Sequence, residues 1–325
     1  MADEVFAARI RERYPEGLTG IFAIGATRRT YILDQNRHAA NPGHIEDFAA
    51  HGAWLMERYF RFIGQFYGLG GQHMIITALS FRSFFERGPD YARVVVPEAL
   101  RLIDEQAQAY YHTFEADPYF IGIDTLLTLP SGSPVYEMAE RFADFQRSWP
   151  YASGRRTLIW EIASMPLLTL WQLFKRLTPE EQAAIDAEIA AASGLDALYH
   201  LLYRRFAREI YGIDVPVPHF YLGTNMSGDL KTRAPLPLAL SGGDYLRLFY
   251  TPYPTLFMTE QAMKVMLADL AFGERFHSVK RDYDGRYTPE LAQVEYERVM
   301  ALSADPETTL GLARRVELPA LDEDA

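Results

Sequence analysis

Two adjacent arginines behind a run of small residues, Gly25-Ala26-Thr27-Arg28-Arg29, form the segment of this 325-residue chain best suited to chemistry. They close an apolar stretch, Leu18 to Gly25, that reads as a buried strand. In an open parallel sheet the carboxyl ends of the strands face the ligand crevice. Small residues there let backbone N–H groups approach an anion, while two guanidinium groups supply fixed charge. Phosphate or diphosphate is the natural guest. The same residues also fit a plainer description, a strand end followed by two solvated arginines.

Other chemistries are excluded or left without a motif. The chain has no cysteine, which removes disulfides, thiolate nucleophiles and Cys-ligated metal centres. It has no Gly-rich loop ending in Gly-Lys-Ser/Thr, no GxGxxG after the first strand and no GxSxG. Its histidines (38, 44, 51, 73, 112, 200, 219 and 277) show no HExxH or HxH spacing and read as surface or core residues, not ligands.

The elements that must hold the arginine pair follow from periodicity. Leu18–Gly25, His73–Ser80, Tyr119–Ile123, Thr157–Trp160, His219–Gly223 and Leu246–Thr251 read as strands. Apolar residues at helical spacing from Ile45 to Phe66 predict a helix ending at Gly68, and further helices are expected over 97–113 and 135–149. Strand alternating with helix implies an α/β fold, an open and mostly parallel sheet flanked by helices. Residues 165–212 read as a helical insert of three segments, one of them opened by Thr178-Pro179-Glu180-Glu181, a capping signal. Thr259 and Thr288-Pro289 start the last helices, and a polar tail follows from about 304. No repeat or long Gly/Ser linker divides the chain, so a single domain over 1–325 is expected.

Lys and Arg number 32 against 43 Asp and Glu, a net charge of -11. That balance argues against a nucleic-acid coat or an anionic membrane surface, without forbidding one local basic pocket. Apolar residues make up 49% and charged residues 23%, the range of a folded protein and not of a disordered one. The amino terminus lacks a signal-like apolar region and no window reads as a transmembrane segment, so a cytoplasmic protein is expected. Twenty Phe, 20 Tyr and 4 Trp serve either core packing or a pocket lined by ring faces.

Taken in order, several segments resemble the cis-prenyltransferases. Ile24–Arg29 is similar to the Asp-Gly-Asn-Arg-Arg loop with which those enzymes bind an allylic diphosphate. Gly43-His44 resembles their Gly-His helix start, Ala78–Phe84 their Ala-Phe-Ser-x-Glu-Asn-Phe strand end, and Ser241–Thr251 their last strand. The resemblance is nearer to an offshoot with this fold, the tuberculosinol and kolavelool synthase family, which converts diterpenyl diphosphates to alcohols. Counterparts there include Thr27-Arg28-Arg29, Arg87-Gly88 with Tyr91, Phe220–Gly223, Pro254 and Met258-Thr259-Glu260.

The departures shape what the resemblance implies. Where the elongating enzymes carry two metal-serving acids, this chain has Gly25 and Arg247; their Glu-Asn pair reads Arg82-Ser83, and their Arg-Thr-Ser grip on a second diphosphate reads Thr224-Asn225-Met226-Ser227. The resemblance therefore implies ionisation and water capture in place of condensation, on a bicyclic diterpenyl diphosphate such as kolavenyl diphosphate made by a separate cyclase. Gly25, Ala26, Thr27, Arg28 and Arg29 would bind the diphosphate, with Arg247 taking over part of a metal's role. Mg2+ would serve as counter-ion of the diphosphate. Tyr91, His44 and Asp34 are the groups expected to orient water, although Tyr91 and His44 equally fit helix packing and capping. Phe48 stands where the tuberculosinol enzyme has a tyrosine. A homodimer is expected by resemblance. A condensing cis-prenyltransferase, or the non-catalytic partner subunit of one, is the alternative.

Overall fold

Strands flanked by helices on both sides must be apolar on both sides, and this chain builds its sheet from such runs. In the computed structural model, which describes residues 3–38, 45, 47–224, 234–241, 246–273 and 288–304, all six residues of β1 (Leu18–Ala23) are buried. Around it stand β2 (Gly71–Leu79), β3 (Ala116–Ile121), β4 (Arg156–Ile162), β5 (Phe220–Thr224) and β6 (Arg247–Thr251). Their order is β3-β4-β2-β1-β5-β6 and every neighbouring pair is parallel. The expected open parallel α/β sheet is the observed one.

Alternate residues of the strands enter two cores. Phe22, Met74, Ile76, Phe120, Trp160 and Phe220 face one side, which is covered by α1 (Asp3–Arg13), α3 (Phe48–Gly68), α4 (Phe81–Leu100), α5 (Glu105–Thr113), α7 (Pro134–Ser148) and α12 (Glu260–Phe272). Ile21, Ala23, Ile75, Tyr119, Ile159 and Tyr221 face the other, under α10 (Leu195–Tyr211) and α11 (Pro235–Leu240). Burying each large side chain contributes about 1.5–3 kcal/mol. Gly20 admits one of these contacts, because a Cβ there would stand 2.3 Å from the Phe220 ring.

Most of the described aromatic rings go to packing. Phe22 meets Phe62, Phe66 and Phe220 edge-on at 5.5, 5.0 and 5.3 Å, and Phe60 stacks on Tyr110 at 4.4 Å. The aromatic surplus is thus largely the filling between sheet and helices.

Two helical expectations differ from the structure. The helix expected over 97–113 is the end of α4, a tight turn at Arg101–Ile103, and α5. The carboxylate of Asp104 interrupts it by accepting the Ala107 amide at 2.8 Å, an N-cap in the middle of the apolar pattern. The chain also becomes helical directly after β2, at Phe81, and not near Pro97. Elsewhere Thr178 and Glu181 form the reciprocal cap of α9 (Pro179–Ala191), and three helices, α8 (Pro166–Arg176), α9 and α10, occupy residues 166–211.

The chain divides into two compact units, Met1–Thr224 with Thr232–Ala271, and Asn225–Lys231 with Phe272–Ala325. In the second, the main described element is the helix Pro289–Ala304, whose first turn includes a 2.9 Å bond from the Ala292 amide to the Thr288 carbonyl. The polar tail beyond 304 lies outside the described residues.

Candidate functional site

Neighbouring strands β1 and β5 send the chain to opposite faces of the sheet. After β1 it passes through α2 (Thr27–Tyr31) into α3 on the first face, whereas the next described element after β5, α11, lies on the second. A parallel sheet opens a crevice at such a switch point, outside the carboxyl ends of its strands. Gly25, Ala26, Thr27, Arg28 and Arg29 occupy that end of β1.

Their local geometry is specific. Ala26 takes a left-handed conformation, φ 57° and ψ 29°, which costs a non-glycine residue of the order of 1 kcal/mol and turns the chain sharply from strand to helix. Its carbonyl accepts both the Thr30 amide and the Thr30 hydroxyl, each at 2.9 Å. Thr30 and Gly25 are buried, Ala26 and Thr27 half-buried, and Arg28 and Arg29 exposed. The turn thus anchors itself through Thr30 and presents the arginines outward. The segment Thr255–Phe257, which follows β6, packs beside α2.

The π-helical turn Ile32–Asn36 and α3 pack against α2. Asp34 accepts from Arg58 at 2.6 Å, from Trp54 Nε1 at 3.0 Å and from Gln35 at 2.9 Å. The Gln35 bond, with those from Arg58 and Trp54, holds its carboxyl below the usual range. Arg58 also lies 5.2 Å over the Trp54 ring. Tyr31 meets the rings of His51 and Trp54 edge-on at 4.9 and 5.3 Å, and Phe48 approaches His51 at 6.3 Å. His51 is half-buried, and burial and then the Arg28 charge push its imidazole below its ordinary pKa. Its Nε2 is buried without a hydrogen-bond partner among the described residues.

The sequence-predicted residues separate into groups. Residues 25–29 stand together at the end of β1, and Asp34 lies in the turn that follows α2, bonded to Trp54 and Arg58 of α3. Tyr91 sits half-buried in the middle of α4. His44 and Gly43 lie outside the described residues, as do 225–233 and 242–245 and the side chains of 82–90. Arg247 is not brought to the arginine pair. It starts β6 in register with Phe220, which pairs with Gly20 of β1, and β1 reaches its carboxyl end only at Ala23, about 10 Å further along. Its guanidinium bonds Asp269 at 3.1 Å and lies 5.6 Å over Phe249. His51 was invisible to motif reasoning because its neighbours come from α2. The only available signal was its helical spacing of three from Phe48.

A protein-held metal does not fit these residues. Gly25 offers no carboxylate, Asp34 is already engaged by Arg58, Trp54 and Gln35, and Asp47 caps α3 by accepting the Ala50 amide at 2.9 Å. Among the described residues no three His, Asp or Glu side chains converge as ligands. Two cavities of about 460 and 480 Å³ open elsewhere, one lined by Gln72, His112, Arg155 and Arg156, the other by Asp124, Gln172, Lys175 and Arg176. Neither includes a residue of the strand-end site. Among the described residues no helix is long and apolar enough to cross a membrane.

Comparison with solved structures places the architecture. Lavandulyl diphosphate synthase from Lavandula x intermedia, solved in complex with dimethylallyl diphosphate, superposes with a TM-score of 0.50 at 12% identity, over 80% of this chain and 96% of that one. The fold is that of the cis-prenyltransferases. A probable undecaprenyl diphosphate synthase from Campylobacter jejuni gives a TM-score of 0.42 at 14% identity, over 79% and 96% of the two chains. No protein-family model and no curated protein sequence matches the chain.

Proposed function

We propose that this protein is an enzyme that ionises an allylic diphosphate and adds water to the resulting cation, giving a tertiary allylic diterpene alcohol and diphosphate. The observation that carries the proposal is the presentation of Arg28 and Arg29 on one helical turn at the β1/β5 switch point, held there by the Ala26 turn and its Thr30 anchor. The likeness of fold to a protein solved with dimethylallyl diphosphate supports the choice of an allylic diphosphate as the anion.

In the proposed reaction the allylic C–O bond breaks and its electron pair leaves with the diphosphate. Fixed guanidinium charge stabilises that developing charge more than it stabilises the bound substrate. Water adds at the internal carbon and its proton passes to a base, for which the departing diphosphate serves. The absence of an acid at the position of Gly25 favours this outcome over condensation with isopentenyl diphosphate. Mg2+ would arrive with the diphosphate and not in a carboxylate site. The proposed substrate is a bicyclic diterpenyl diphosphate supplied by a separate cyclase, and a homodimer is the proposed assembly.

Incubation with linear and bicyclic C20 allylic diphosphates, with and without labelled isopentenyl diphosphate, tests the reading. An alcohol formed without the second substrate supports it. Label entering a longer prenyl chain would instead establish a condensing enzyme, and no turnover of any substrate would point to a non-catalytic subunit.

A further inference from the structure

We propose that Thr224 is a positioning residue of the strand-end site: its hydroxyl ties the carboxyl end of β5 to the segment Thr255–Phe257, and that segment holds α2, with Arg28 and Arg29, in place at the switch point. The inference rests on the reading of the arginine pair as a diphosphate site and adds to it the residue that fixes its seat.

A helix of five residues has little stability of its own, so the place of α2 is set by what it packs against. Those elements are α3 and Thr255–Phe257, which also meet each other. On the α3 side the bond from Arg58 to Asp34 braces the turn that continues α2. On the other side the segment after β6 is folded on itself, with the Thr251 hydroxyl donating to the Tyr253 carbonyl at 2.7 Å and the Phe257 and Met258 amides donating to the Pro254 and Thr255 carbonyls at 2.9 Å.

Its tie to the sheet is Thr224. This residue ends β5 one position beyond Gly223, which pairs with Ala23 at the end of β1. The Thr224 and Thr255 hydroxyls share a bond of 2.5 Å, and the Thr255 amide donates to the Thr224 hydroxyl oxygen at 3.2 Å. Among the described residues these are the only hydrogen bonds from Thr255–Phe257 to a strand or helix outside its own turn. Thr255 is fully buried and Thr224 half-buried, so water does not readily replace the pair. Without the tie, Thr255–Phe257 and the helix resting on it are free to shift, and a site built on two guanidinium groups loses affinity with small displacements of its support.

Calorimetric titration of the full chain with inorganic diphosphate, alongside urea unfolding, tests this. Thr224→Val keeps the shape of the side chain and removes both bonds; it should bind about tenfold more weakly than the wild type, whereas Thr224→Ser, which keeps the hydroxyl, should stay within about twofold of it. Thr255→Val leaves the amide bond intact and should fall between them, about threefold weaker. A lowered urea midpoint in T224V with wild-type affinity, while Arg28→Ala still weakens binding, would make the tie structural only and overturn the proposal, leaving the anion site standing. Binding by T224S as weak as by T224V would also overturn it, because the hydroxyl would not be the group that matters. Absence of binding by the wild type, or binding unaffected by Arg28→Ala, would overturn both readings. Should T224V not fold, T255V decides: weaker binding upholds the role of the tie, and wild-type affinity overturns it.

Discussion

The Arg58 guanidinium stands 2.6 Å from the Asp34 carboxylate and so ties α3 to the turn that follows the arginine pair. Both side chains are about one-quarter exposed, which keeps the pair modest in energy while letting it set the position of α2 against α3. Asp34 thus acts as a brace and has little capacity left to orient water.

Asp34→Asn should therefore lower stability by about 1 kcal/mol, measured by urea unfolding, because a charge-assisted bond becomes a neutral one at a partly exposed site. Since the folded carboxyl is held below its unfolded value of 3.8, its stabilisation is present above that value and lost as pH falls through the folded pKa. The acid limb of the stability curve should flatten in the variant. Unchanged acid behaviour would show that the bond does not persist in solution.

Arg28→Ala and Arg29→Ala should each weaken diphosphate binding by roughly 10–100-fold, as expected when one charged hydrogen-bonding group is removed. Both side chains are exposed, so the thermal midpoint should barely move. A large loss of stability with binding intact would assign the pair a scaffolding role instead.

Arg247→Ala separates position in the fold from the role that resemblance implies. The guanidinium is anchored to Asp269 at the amino end of β6, so turnover and diphosphate affinity should stay within about twofold, and stability should fall by no more than about 1 kcal/mol. Crippled turnover at limiting magnesium would show that Arg247 reaches the reaction after all.

Glu161 offers a different kind of test. It is buried in β4, accepts the Thr77 hydroxyl at 3.0 Å and the Leu236 amide at 3.1 Å, and is also bonded by Ser164. Burial outweighs these bonds and raises its pKa. Because the folded value lies above the unfolded one, its contribution is fully present below the unfolded pKa and declines as pH rises through the folded pKa. Glu161→Gln should keep the fold and remove that decline. Glu161→Ala should cost about 2–3 kcal/mol by leaving the Leu236 amide unsatisfied. Both are read by denaturant unfolding across pH, and a Gln variant as damaged as the Ala variant would contradict the assignment.

The strands were legible because a sheet covered on both faces writes itself as apolar runs such as Ile21-Phe22-Ala23 and Met74-Ile75-Ile76. The arginine pair was legible because its position after β1 follows from those runs alone. The break at Asp104 was not, since a capping carboxylate inside an amphipathic pattern looks like one more polar position. Nor was the company of His51, which depends on how α2 and α3 meet. Arg247 shows the converse: resemblance supplied a role, and the strand register puts it level with Gly20, three residues before the end of β1 at Ala23.

The most direct test of the account is reaction in H2(18)O with a C20 allylic diphosphate and no isopentenyl diphosphate. The account predicts a tertiary alcohol carrying one solvent oxygen, formed in step with inorganic diphosphate. A primary alcohol without the label would mean P–O cleavage and would contradict carbocation formation at this site, and release of diphosphate only when isopentenyl diphosphate is supplied would contradict water capture.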